Sequence, residues 1–109
     1  VPGADALASA IVGLASRGVK EIAIDMHVWS GVVDPFPQRV GERVYSGEGY
    51  RLRVSRIGGI YGYLEAEYGG CRAYGVLVYG QSRSLFRVSG FEGGGGCGGE
   101  APGVEPREG

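Results

Sequence analysis

Between residues 4 and 17 apolar side chains recur at helical spacing, and from residue 21 onward they alternate with polar ones at strand spacing. The first segment predicts a helix. Asp5 stands where an N-cap or first-turn carboxylate belongs, and Gly18 follows as the residue that ends a helix. Around that helix Asp5, Ser9 and Ser16 form one narrow polar line. Leu7, Ile11 and Leu14 lie opposite, flanked by Ala6, Ala10 and Gly13 on one side and by Ala8 and Ala15 on the other. A helix lying on a single sheet shows a polar half. This one is apolar around most of its circumference, so it is expected to be covered on more than one side, a second subunit supplying the extra cover.

The alternation predicts strands. Residues 21–29 place Ile22, Ile24, Met26 and Val28 on one face and Glu21, Ala23, Asp25, His27 and Trp29 on the other. Two prolines make 34–37 a loop. A weakly patterned strand at about 40–46 is followed by stronger ones at about 50–57, 60–68, 71–79 and 84–91, separated by glycine turns. The expected fold is α+β: the N-terminal helix packed on an antiparallel meander of about five strands.

Register follows from turn length. A two-residue turn at Gly69-Gly70 sets Tyr68 opposite Cys71, Glu67 opposite Arg72, Glu65 opposite Tyr74 and Tyr63 opposite Val76. For the preceding hairpin a three-residue loop sets Arg51 opposite Glu67, Arg53 opposite Glu65, Ser55 opposite Tyr63 and Ile57 opposite Tyr61. A one-residue slip would mix polar and apolar side chains on both faces. One face then carries Leu52, Val54, Gly62, Leu64, Ala66, Ala73, Gly75, Leu77 and Tyr79, small enough in places for close approach of a helix. The other carries Arg51, Arg53, Glu65, Glu67, Arg72 and Tyr74 at one end, and Ile57, Tyr61, Tyr63, Val76 and Val78 at the other.

Composition changes the picture at the C-terminal end. The 23 glycines among 109 residues are about three times ordinary usage, and many lie beyond residue 92. Residues 1–91 are therefore expected to be the compact domain and 92–109 a flexible, glycine-rich, mildly acidic tail whose removal leaves stability nearly unchanged. Net charge of −1 excludes a strongly basic DNA neutraliser. No signal peptide or bilayer-length apolar run is visible, which points to a cytoplasmic protein without a membrane role. The 2 cysteines are too few for a disulfide framework or a structural zinc site, and their oxidation state is left open. Asn and Thr are absent and Arg outnumbers Lys, a thermophile tendency.

Catalytic and metal chemistry find little support. Asp25 and His27 share a strand face, but side chains two apart on a strand run parallel and do not converge. Glu65 and Glu67, with Asp25 and His27, could supply metal ligands, yet the register gives both glutamates arginine neighbours. The glycine run at 93–99 lacks the Lys-Ser/Thr and the following helix of a phosphate loop. No cofactor and no catalysis are expected.

The face bearing Arg51, Arg53, Tyr61, Tyr63, Arg72 and Tyr74 is the best functional feature, with Trp29 on a neighbouring strand. Basic side chains that track phosphates, interleaved with rings on which bases stack, are what sequence-tolerant single-strand binders use. The same residues also make cross-strand ion pairs and good strand surfaces. A small oligomeric scaffold or protein-interaction module is therefore the competing reading. The helix 4–17, the Tyr50-Arg51-Leu52-Arg53 and Tyr61-Gly62-Tyr63 strands and the thermophile-like composition resemble the archaeal Thermo-DBP-related proteins, single-stranded-DNA binders. That resemblance implies a helix-plus-antiparallel-sheet domain, homo-oligomerisation and sequence-independent capture of single strands, DNA ahead of RNA. The chain has no heptad segment after the core through which to form a coiled coil. The apolar helix and the patch of Tyr61, Tyr63, Val76 and Val78 independently favour self-association.

Overall fold

The computed structural model describes residues 3–28 and 41–107. One helix, α1 (Ala4–Ser16), precedes seven strands: β1 (Glu21–Asp25), β2 (Gly41–Gly47), β3 (Tyr50–Gly58), β4 (Tyr61–Tyr68), β5 (Cys71–Val78), β6 (Arg83–Glu92) and β7 (Val104–Pro106). They form a single sheet in the order β2-β3-β4-β5-β6-β1-β7, antiparallel throughout. The α+β class is as expected, but the described residues already form seven strands where about five were expected. Trp29 and the expected loop at 34–37 lie outside the described residues.

The helix begins after Gly3 and carries Asp5 in its first turn, where the carboxylate complements the exposed N–H groups. It ends as the sequence predicts. Gly18 adopts φ +90°, its N–H donates to the Ala15 carbonyl at 3.0 Å, and the Val19 N–H donates to Leu14 at 3.1 Å. This paired closure needs a left-handed residue that glycine supplies without a steric penalty. Leu7, Ile11 and Val12 on the helix meet Leu52, Val54, Leu64, Leu77 and Phe86 on the sheet, and all are buried.

The expected register holds from Tyr63 to Tyr68 against both neighbours. It fails by one residue at the tip of the β3–β4 hairpin. Gly58, not Ile57, stands opposite Tyr61, and Arg56 stands opposite Gly62. Gly59 at φ +57° permits a two-residue turn, so the extra residue is taken up as a bulge at Ile57 and not in the loop. Below the bulge the Tyr79 ring crosses Gly62, where a β-carbon would strike the ring at 2.9 Å, and its hydroxyl donates to the Ser55 carbonyl at 2.9 Å. Burial pushes the Tyr79 phenol up to about 12.

Strand β1 is shorter than expected. It stops at Asp25, and residues 26–28 make a helical turn. Asp25 and His27 therefore do not share a strand face. A short strand is sufficient because β1 is paired on both edges, with β6 at Glu21–Asp25 and with β7 at Ile22–Ile24.

The largest departure is the C-terminal segment. The expectation of a free tail from residue 92 is overturned: this stretch runs back over the helix and ends as a sheet strand. The Gly99 N–H donates to the Ser9 carbonyl at 3.1 Å, and the Ser16 hydroxyl donates to Gly13 at 2.8 Å and to Cys97 at 3.3 Å. Val104 enters the core with 5% exposure, and the Asp25 N–H donates to Gly103 at 2.8 Å. A disulfide joins Cys71, at the start of β5, to Cys97. The polar line Ser9–Ser16 is thus a seat for this strap and not a solvent face. The strap supplies cover that the sequence reading assigned to a second subunit. Its burial comes from backbone contact, which a count of apolar side chains does not register.

Candidate functional site

The outer face of the sheet, away from α1, gathers the expected residues on adjacent strands. Reading across β2 to β6, one row is Ser46, Arg51, Glu67, Arg72 and Glu92, and the next is Val44, Arg53, Glu65, Tyr74 and Gly90. A third row contains Glu42, Ser55, Tyr63, Val76 and Arg87, and the fourth contains Tyr61 and Val78. Alternation on each strand is what directs these side chains outward together.

Ion pairing is diagonal as well as directly across. Arg72 donates from Nε to Glu65 and from Nη1 to Glu92 at 3.0 Å. Its hydrogen bond with Glu65 raises the guanidinium pKa further. Arg53 lies 3.8 Å from both Glu42 and Glu65. The Arg51–Glu67–Arg72 pairing expected from register is not formed: Arg72 reaches Glu65 one row away, and among the described residues neither Arg51 nor Glu67 has an ion-pair partner. Arg53 and Arg72 are thus largely compensated, and Arg51 is the uncompensated cation of the expected set.

The tyrosines fall into two kinds. Tyr74 is half-buried, with the Arg72 guanidinium 4.5 Å from its ring centroid and its hydroxyl end lying where Gly90 has no side chain. It is a fixed element of the surface. Tyr61 and Tyr63 are each 56% exposed and present open rings. Beside them the hairpin tip exposes Ile57 at 50% and Ile60 at 48%.

Between Tyr63 and Tyr74 the outer face dips into a depression of about 420 Å³. Glu42, Arg53, Ser55, Glu65 and Ser89 line it together with the backbone around Leu64 and Gly75. Glu42 and Ser89 were not among the expected site residues. The weak pattern of β2 does not determine its register, and Ser89 reaches the site through an irregularity in β5–β6 pairing between Tyr74 and Gly75. Signals for both were available only through pairing, not through local pattern. A larger cleft of about 970 Å³ beside β7 is lined by Leu14, Arg83, Val104 and Arg107 among others, with no aromatic ring among the described residues that line it.

Other candidate chemistry is not assembled. Asp25 and His27 lie on different elements, at the end of β1 and in the turn that follows. Among the described residues no three His, Cys, Asp or Glu side chains converge as a metal site would require. No described helix is long and apolar enough to cross a membrane. The chain matches no family model, no characterised protein and no solved structure.

Proposed function

We propose that this domain binds single-stranded nucleic acid, DNA ahead of RNA, without sequence selectivity in its main contacts and without catalysis. One observation carries the reading: Tyr61 and Tyr63 hold open rings on the same sheet face as Arg51 and Arg53. An exposed ring contributes about 1–3 kcal/mol per stacked base, and a duplex offers no unstacked base to receive it. Tyr74, Arg53 and Arg72 form the walls and charged rim of the same surface, and Trp29 belongs to the proposed set from sequence alone. The reading retains an archaeal, thermophile and cytoplasmic setting as a proposal from composition and resemblance.

A titration of labelled single-stranded and duplex oligonucleotides at about 50 and about 200 mM salt tests it. Single strands are expected to bind and duplex to bind at least tenfold more weakly. Equal binding, or none at the lower salt, overturns the reading.

A second reading is favoured by Ile57 and Ile60, half-exposed at the hairpin tip next to Tyr61 and Tyr63. Apolar side chains grouped in this way mark interfaces. We infer that this tip joins copies of the chain into a homo-oligomer. Should nucleic-acid binding fail, the module is a self-associating scaffold. Light scattering that returns the 11.4 kDa of one chain at high micromolar concentration excludes self-association.

A further inference from the structure

The polar atoms around the outer-face depression are unevenly satisfied, and this points to what the depression receives. Glu65 is committed to Arg72 by a direct hydrogen bond. Arg53 Nε is buried and has no hydrogen-bond partner, and its 3.8 Å separation from Glu42 is longer than a hydrogen bond. Glu42 is itself 52% exposed on β2. Arg53 and Glu42 are thus paired by charge alone, leaving a buried donor without a hydrogen bond beside an acceptor that is open to solvent. A buried donor without a hydrogen bond calls for an explanation, and at this depression Arg53 Nε is that donor.

The rest of the lining is backbone and two aromatic rings, chemistry that suits a flat ring. Leu64 points to the inner face and Gly75 has no side chain, so the floor is backbone. Tyr63 stands open on one side, and Tyr74 is held on the other by Arg72 and Gly90. Glu42 and Glu65 outnumber Arg53 in the lining, which disfavours phosphate and leaves the base of a nucleotide as the group to be held.

We propose that the depression between Tyr63 and Tyr74 holds one unstacked nucleobase and selects guanine, with Glu42 and Arg53 reading its edge. This rests on the single-strand reading above and adds a base preference to it. A carboxylate is acceptor-only and pairs best with two adjacent donors. Guanine presents N1–H and the N2 amino group side by side, with O6 next to them for the guanidinium of Arg53. Adenine and cytosine offer an amino group but no second donor beside it. Thymine and uracil place one N–H between two carbonyl oxygens, which the Glu42 carboxylate repels. Single-stranded bases expose these Watson–Crick edges, as paired bases do not.

The experiment compares three oligonucleotides of thymine that differ only at three central positions: guanine, hypoxanthine or thymine. Hypoxanthine keeps O6 and N1–H but lacks the N2 amino group. Fluorescence anisotropy is expected to give about tenfold tighter binding for guanine than for thymine, with hypoxanthine between them. Glu42→Ala and the shape-conserving Glu42→Gln are expected to bring the guanine-to-thymine ratio close to one, with thermal melts confirming that both variants fold. Equal binding of all three oligonucleotides, or a guanine advantage that persists in both variants, overturns the pocket and leaves the single-strand reading standing. If none of the three binds at about 50 mM salt, both fall.

Discussion

Gly13, in the middle of the only described helix, packs backbone-to-backbone against Gly99 in the C-terminal strap. A β-carbon on Gly13 would overlap the Gly99 carbonyl oxygen, and one on Gly98 would overlap the Ser9 carbonyl. Two stretches of chain can approach this closely only where neither carries a side chain. The glycine run that composition marks as unable to bury anything is, in its position, what allows the strap to lie on the helix.

The contact gives an experiment with a sign. In a helix free on that side, Gly13→Ala stabilises by about 1 kcal/mol through helix propensity. Beneath the strap it forces overpacking of about 1–3 kcal/mol. Denaturant unfolding is expected to show net destabilisation of Gly13→Ala and little change for Gly94→Ala, where a β-carbon meets open space. A more stable Gly13→Ala would mean that the strap does not sit there.

The disulfide closes a long segment, since Cys71 and Cys97 are separated by 26 residues. Cross-linking a loop of that size stabilises by about 3 kcal/mol in the chain-entropy description. Reduction, or Cys97→Ser, is expected to lower the melting temperature by about 10 °C or more for a domain of this size. Val104→Ala, which empties a buried site at the far end of the strap, is expected to cost about 2 kcal/mol independently. An unchanged melt in both variants would return residues 93–107 to the status of a dispensable tail.

Tyr61 and Tyr63 are expected to separate binding from stability. Both are more than half exposed, so the double Ala variant should unfold close to wild type while binding single strands at least tenfold more weakly. The salt slope should be shallow, because Arg53 and Arg72 are already paired with Glu42, Glu65 and Glu92 and release few counterions. A steep slope with no loss in the double variant would assign binding to cations elsewhere.

Tyr79 gives an alkaline signature. Its phenol is raised to about 12 in the folded chain against the ordinary 10.0. Below pH 10 the phenol is protonated folded or unfolded, so it contributes no pH dependence. As pH rises from 10 towards 12 the unfolded chain loses this proton first, and stability falls. Tyr79→Phe should remove that part of the alkaline decline and cost about 1 kcal/mol at neutral pH through the lost hydrogen bond to Ser55. An identical alkaline profile in Tyr79→Phe would refute the assignment.

What was legible in the chain was local. Helical periodicity and Gly18 located α1, and the two-residue turn at Gly69-Gly70 determined β4–β5 register down to each pair. Those signals are carried by neighbours in sequence. The bulge at Ile57 was not legible, because a two-residue turn with a bulge and a three-residue loop leave the same alternation behind them. Nor was β7, whose three residues include only one apolar core side chain, Val104, and whose partner lies about eighty positions earlier. At the candidate site the rings and arginines stood out in the sequence by type and spacing. Glu42 did not, since a weakly alternating edge strand does not reveal which of its residues faces the tyrosines.

The position of β1 has a consequence for how the molecule assembles. This strand comes first in the chain but lies between β6 and β7, the two that come last. During synthesis it has neither edge satisfied until residues 83–92 emerge, and it is sealed only by residues 104–106. Pairings this distant in sequence are slow to form. For that interval Ile22 and Ile24 are a short apolar strand with two bare edges, the kind of segment on which nascent chains aggregate. The vulnerable moment is therefore the interval between the synthesis of β1 and that of β6 and β7, and variants that shorten β7 should lower soluble yield as well as stability.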